Sequence, residues 1–219
     1  MFKSETKPTG DLQIRVIRGP EFWKVADSYT QKVGLGWKLR NNLTWDYIKG
    51  WIANEVIAKI TRKWFDLLVF TSELRIKQYK ADGRVIDYGV VSRRSITDEG
   101  VAMIVDDWQA DAADITFLKY HGYGTGTVAA TGADTNLGTA ISTAARATGT
   151  QTQPSAKVLQ SVGTPAFDAA LAITEHGLFD TDAVSGDDIM WDRHTFAVIT
   201  TANGDSVEFT YSATLVSSG

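Results

Sequence analysis

The chain has 219 residues, 43% of them hydrophobic and 22% charged, with a net charge of −4. That length buries a large core without help from metals or disulfides, and the absence of cysteine excludes disulfide staples, thiolate metal sites and cysteine nucleophiles. The acidic balance does not match the basic surface of a general nucleic-acid binder.

Residues 1–20 are polar and broken by Pro8, Gly10, Gly19 and Pro20. They lack the apolar centre of a signal peptide. They predict an extended arm with one short stretch of strand character at Leu12–Ile17, of the kind that orders on binding a neighbour. No apolar run in the chain approaches the roughly 20 residues of a membrane helix, so no membrane partner is expected. Basic residues are frequent from Lys3 to Arg94 and sparse afterwards, where they are Lys119, Arg146, Lys157 and Arg193. An N-terminal half that docks on an acidic partner is one reading of that asymmetry, and a solvated surface is the other.

Residues 21–86 read as a tryptophan-rich docking segment. Five of the seven tryptophans, Trp23, Trp37, Trp45, Trp51 and Trp64, fall between residues 21 and 65. They fill a core or anchor a protein–protein interface, where tryptophan is enriched. Thr44 is a capping residue, and Trp45, Ile48, Trp51, Ile52, Val56, Ile60 and Trp64 recur at helical spacing, predicting a helix over Thr44–Phe65 that Gly50 weakens. Asp66–Phe70 and Glu73–Tyr79 have strand character. Asp82-Gly83 is a hairpin turn signal, and Arg84–Val91 is the returning strand.

Residues 87–219 are predicted to form a β-sandwich or jelly-roll-like domain, which makes the chain mainly β with an arm and one or two short helices. Thr97 caps a helix whose apolar face is read as Val101, Ile104, Val105 and Trp108. Beyond Ala110, short apolar runs alternate with turn residues. Lys157–Val162, Ala169–Thr174 and Met190–Trp191 are strand candidates. Thr195–Thr201, the turn Asn203-Gly204 and Ser206–Val216 read as a hairpin. In its second arm Val207, Phe209, Tyr211, Ala213 and Leu215 alternate with polar residues.

Candidate chemistry is thin. The histidines are His121, His176 and His194, and no G-x-S-x-G nucleophile elbow accompanies them. His121 and His176 each precede a glycine and read as turn or core histidines bonded to backbone. His-Gly-Tyr-Gly-Thr-Gly-Thr at 121–127 reads as a glycine-rich turn, because no helix pattern follows to cradle a phosphate. Asp180, Asp182, Asp187 and Asp188 do not follow the alternation of a calcium loop and read as a solvated loop. Asp106 and Asp107, with Asp111 and Asp114 beyond them, read as a solvated helix face. No catalytic residue, cofactor or metal ligand is assigned.

Five blocks, taken in order, resemble tailed-bacteriophage virion structural proteins. They are Gly89–Val105 (GVVSRRSITDEGVAMIV), Phe117–Thr127 (FLKYHGYGTGT), Arg146–Gln151 (RATGTQ), Ala172–Phe179 (AITEHGLF) and Trp191–Thr210 (WDRHTFAVITTANGDSVEFT). The resemblance implies a non-enzymatic virion protein, assembled in the host cytoplasm, and above all a cement or decoration protein of the head. Its implied partners are copies of itself, possibly as a trimer, and the major capsid protein, gripped by the arm and the tryptophan-rich segment. A neck or tail component is the close alternative. A receptor- or glycan-binding module is a further one, with Trp108, Tyr120, Tyr123 and Trp191 as its aromatic candidates. Within the blocks, Glu175-His176-Gly177 is expected at a turn and Asp192-Arg193 as a charge pair.

Overall fold

The computed structural model describes residues 30–52, 68–94, 96–109, 118–141, 145–184 and 188–217. The expected arm at 1–20, Trp23, Trp64 and residues 53–65 of the expected helix lie outside them. In chain order the elements are β1 (Thr30–Lys32), α1 (Leu35–Asn42), α2 (Trp45–Trp51), β2 (Leu68–Tyr79), β3 (Val85–Arg94), α3 (Asp98–Gln109), β4 (Tyr120–Gly124), β5 (Ala147–Thr148), β6 (Thr150–Ser155), β7 (Val158–Gly163), β8 (Ala172–Phe179), β9 (Met190–Thr200) and β10 (Ser206–Ser217). The fold is mainly β, as the sequence implies. A six-stranded sheet, in the order β1-β3-β2-β10-β7-β6, faces a four-stranded sheet, β5-β4-β8-β9. Every pairing is antiparallel except that of β1 with β3.

The strand alternation of β10 holds for four of the five apolar positions read, and the fifth, Leu215, is exposed. Val207, Phe209, Tyr211 and Ala213 point into the sandwich and are buried. The expected hairpin of β9 and β10 does not form. β10 pairs with β2 and β7, and β9 pairs with β8, so the Asn203-Gly204 turn carries the chain from one sheet to the other. Gly204 has φ +83°, whereas Asn203 stays at negative φ and no type I′ turn is made. The Asp205 carboxylate holds the crossing. It accepts from the N–H groups of Ala81 and Ala202, from Gln78 and from Lys80. The β2–β3 hairpin forms as expected, with Gly83 at φ +85°.

The division expected between residues 86 and 87 is not a boundary in the fold, because it falls inside β3. β2 lies in the middle of the six-stranded sheet, and Leu74 and Ile76 are completely buried there. Two apolar clusters fill the space between the sheets. One gathers Leu74, Ile76, Phe196, Val207 and Phe209, and the other gathers Met103, Ile104, Leu178, Trp191 and Tyr211.

The helices close the flank where β3 and β9 meet. α1 was not signalled by the sequence pattern. Its Trp37 is buried against Tyr88 and donates its indole N–H to Val198 O at 2.9 Å. Asn41, also buried, donates to Val91 O at 2.8 Å and accepts from Ala197 N at 3.0 Å, tying β3 to the free edge of β9. α2 starts where expected, with Thr44 accepting from Tyr47 N. A Cβ at Gly50 would lie 1.6 Å from Arg93 O, so the residue that weakens this helix lets it lie on β3. Thr97 caps α3 and accepts from Gly100 N at 3.0 Å. The buried face of α3 is Gly100, Met103 and Ile104. Close approach of Gly100 to Trp191 sets that rotation, and of the expected face only Ile104 turns inward.

Candidate functional site

The three histidines stand side by side on β4, β8 and β9, all completely buried. Of the two readings of His121 and His176, turn or core, the core one holds, and the bonds His121 makes are to His176 and Ser161 side chains rather than to backbone. His121 Nδ1 lies 2.9 Å from His176 Nε2, and His121 Nε2 lies 2.9 Å from Ser161 Oγ on β7. The sheets are close here: a Cβ at Gly149 or Gly163 would come within 2.6 Å of the His121 ring. The layer continues on the other side. Asp192 Oδ2 accepts from Ser72 at 2.5 Å and from Tyr211 at 3.2 Å, and it sits 3.2 Å from His194 Nε2. His176 packs on Phe209 of one apolar cluster and His194 on Tyr211 of the other, so the polar layer lies between them.

Ser161, His121 and His176 have the spacing of a nucleophile with a base behind it. Their burial decides what they can do. Ser161 is completely covered, so no substrate reaches its hydroxyl. Burial also pushes the His121 imidazole down to about 3, far too weak a base for neutral pH. His176 is pushed well below 6.5 by burial and by the two neighbouring imidazoles, and burial and the Asp192 charge raise the Tyr211 phenol. His176 Nδ1 and both His194 nitrogens make no hydrogen bond among the described residues, a cost the fold carries in its interior.

A second buried cluster lies on the outer face of the four-stranded sheet. Glu175 accepts from Gly126 N, Gly138 N and Thr139 N, and takes both Nε and Nη2 of Arg193. Arg193 also reaches Asp134 at 2.8 Å. Burial alone lowers the basicity of this guanidinium, but the two carboxylates outweigh it and hold its proton more tightly than usual. The expected Asp192-Arg193 pair does not form, because adjacent strand residues point to opposite faces. Asp192 faces the six-stranded sheet, and Arg193 faces the 125–139 segment.

Glu175-His176-Gly177 is likewise not a turn but the middle of β8. Gly122 and Gly124 lie within β4, and neither they nor Gly126 has positive φ. They are small because side chains there would strike Phe179 or the Glu175 carboxylate. The signal the sequence offered was a row of alternate glycines facing a buried Glu, which composition alone does not separate from a turn.

Arg146 closes the acidic loop from inside. Its guanidinium donates to Thr181 O, Ala183 O and Asp188, and its central carbon lies 3.4 Å from the centroid of the Phe179 ring. Asp188 is therefore buried rather than solvated, while Asp180 accepts from Ile189 N. Asp182 contributes its carbonyl to Arg146 N. Asp187, Asp111 and Asp114 lie outside the described residues. On α3 Asp106 is exposed, as expected of a solvated face, whereas Asp107 is half-buried. No group of three or more His, Asp or Glu among the described residues is arranged to hold a metal ion, and no described helix is long and apolar enough to cross a membrane.

The exposed surface carries the opposite chemistry. Leu35, Leu39 and Leu43, four residues apart along α1 and its cap, are 72%, 53% and 74% exposed. Trp51 and Ile52 at the end of α2 are exposed as well. Of the tryptophans expected at an interface, Trp37 is spent inside the chain and Trp51 is at the surface. Trp45 opens α2 on the same two-helix unit. On α3 the stripe Val101, Val105 and Trp108 faces outward, and Trp108 is 75% exposed. Of the four aromatics considered for sugar stacking, Trp191 is buried and Tyr120 and Tyr123 are half-buried, which leaves Trp108. No protein-family model matches the chain, and no curated protein or solved structure matches it either.

Proposed function

We propose that the chain is a non-enzymatic virion structural protein of a tailed bacteriophage, a capsid-associated cement or decoration protein that stabilises the head. One observation carries this reading: ionisable groups are sealed in the interior, and apolar side chains stand in ordered stripes outside. Scattered exposed leucines are ordinary, but a stripe at helical spacing is a surface shaped for another protein. The leucines of α1, with Trp51 and Ile52 of α2, are the side chains that grip the major capsid protein. Many copies on a symmetric shell turn weak single contacts into firm attachment.

Quantitative mass spectrometry of purified particles tests this. Hundreds of copies per particle are expected, whereas six or twelve would move the chain to the neck or tail. A glycan- or receptor-binding module is the second reading, favoured by exposed Trp108 beside Gln151 and Gln153. A glycan-array signal abolished by Trp108→Ala would put it first.

A further inference from the structure

The two exposed apolar stripes, on α1 and on α3, are bordered by opposite charges. On α1 each residue turns about 100° from the last. Lys38 and Arg40 therefore fall on either side of the Leu35, Leu39 and Leu43 stripe, and Trp37 and Asn41 fall behind it, in the core. The helix sequence, LGWKLRNN, contains no acid. Both cations are exposed, and neither makes an ion pair among the described residues.

α3 is built the other way. Its sequence, DEGVAMIVDDWQ, has four acidic residues and no basic one. Asp98 and Asp106 are exposed on the side of the helix away from buried Gly100 and Ile104, bordering the stripe of Val101, Val105 and Trp108. Neither carboxylate makes an ion pair among the described residues. An apolar stripe edged with cations and an apolar stripe edged with carboxylates are complementary in both respects.

The anchorage of the helices decides that the contact is made between copies. α1 is tied to β9 at Ala197 and Val198 through Asn41 and Trp37. α3 is tied to the same strand at Met190 and Trp191 through Thr97. From Trp191 to Val198 the strand runs about 23 Å, and both stripes stay exposed within one chain. Charge also argues against cover from the chain's own earlier segments. Residues 1–29 and 53–67, which precede β2 and lie outside the described residues, hold eight basic and six acidic residues and so offer α1 no acidic excess. An anionic membrane would attract the same cations, but it repels the carboxylates of α3 and a chain of net charge −4.

We infer that α1 of one copy docks on α3 of a second copy, with Leu35, Leu39 and Leu43 against Val101, Val105 and Trp108 and with Lys38 and Arg40 facing Asp98 and Asp106. The inference rests on reading α1 as a docking surface and names its occupant in the free chain. Self-association and capsid attachment compete for the same leucines. A capsid surface that displaces α3 needs the same chemistry, apolar with carboxylates at its border.

Sedimentation of the full chain and two full-length, charge-reversed variants tests the inference. One carries Lys38→Glu and Arg40→Glu, the other Asp98→Lys and Asp106→Lys. All four side chains are exposed, and a cooperative thermal transition shows that each variant is folded. The unaltered chain is expected to associate as its concentration rises, and more weakly at high salt. Each variant alone is expected to associate roughly tenfold more weakly or worse, since like charges then meet across the contact. Mixed together, the two variants should associate again, because each altered helix then finds a partner of opposite charge.

A chain that stays monomeric at millimolar concentration overturns the inference. So do variants that associate as the unaltered chain does, and a mixture that associates no better than either variant alone. Particles that take up the chain after any of these results would leave the capsid reading standing.

Discussion

At the scale of single residues, the stability of the fold should depend on pH through the buried histidines. The folded protein holds His121 at about 3 and His176 well below 6.5, so between those values the unfolded chain binds protons that the folded chain refuses. Stability is therefore complete above 6.5 and falls as the pH drops toward 3, by about 1.4 kcal/mol per pH unit for each such histidine. The carboxylates Asp134 and Asp205, held below 3.8 by their hydrogen-bond partners against the opposing effect of burial, add their loss only at lower pH. Urea unfolding between about pH 7 and pH 5 isolates the histidines. His121→Gln should remove one histidine's share of the slope whatever it does to stability at neutral pH. An unchanged slope would mean that His121 takes up protons in the folded state. None of this layer was legible beforehand. Nothing in the spacing of His121, His176 and His194 says that β4, β8 and β9 place them together, because strand pairing is non-local and one residue of slip reverses every face.

At the scale of elements, α1 and the cap of α3 protect an otherwise open sheet edge. β9 ends the four-stranded sheet, and unpaired edge groups invite pairing with other chains. Trp37 and Asn41 occupy Val198 O and Ala197 N, and Thr97 donates to Met190 O and Trp191 O farther along the strand. Asn41→Ala strands buried backbone groups on both β3 and β9. It should cost about 2–3 kcal/mol, measured by denaturant unfolding, and should speed amide exchange at Ala197. A loss under about 0.5 kcal/mol would show that water replaces the carboxamide.

Elements with local signals were read correctly: the Asp82-Gly83 hairpin, the Thr97 cap and the alternation of β10. Misread elements were those in which two partners satisfied one local pattern. Asn203-Gly204 suits a hairpin, yet β10 pairs with β2 and β7 instead of β9. The α3 pattern allowed two faces, and contact at Gly100 chose the narrower one.

At the scale of the whole molecule, the sandwich places its two surfaces of exposed apolar side chains on different elements. The α1–α2 surface stands over β3 and β9, while the α3 groove opens toward β6. The short apolar runs and turn residues beyond Ala110 made the mainly β fold legible. The exposed leucines were not legible, since Leu35, Leu39 and Leu43 read equally well as a buried face until the sandwich core is seen to close without them.

The most direct test is co-sedimentation of the purified chain with phage particles lacking it, comparing the unaltered chain with a Leu35→Glu, Leu39→Glu, Leu43→Glu variant. We expect saturable binding of the unaltered chain and loss of binding by the variant at equal thermal stability. A variant that fills the particles as the unaltered chain does would contradict the reading of this surface as the capsid grip.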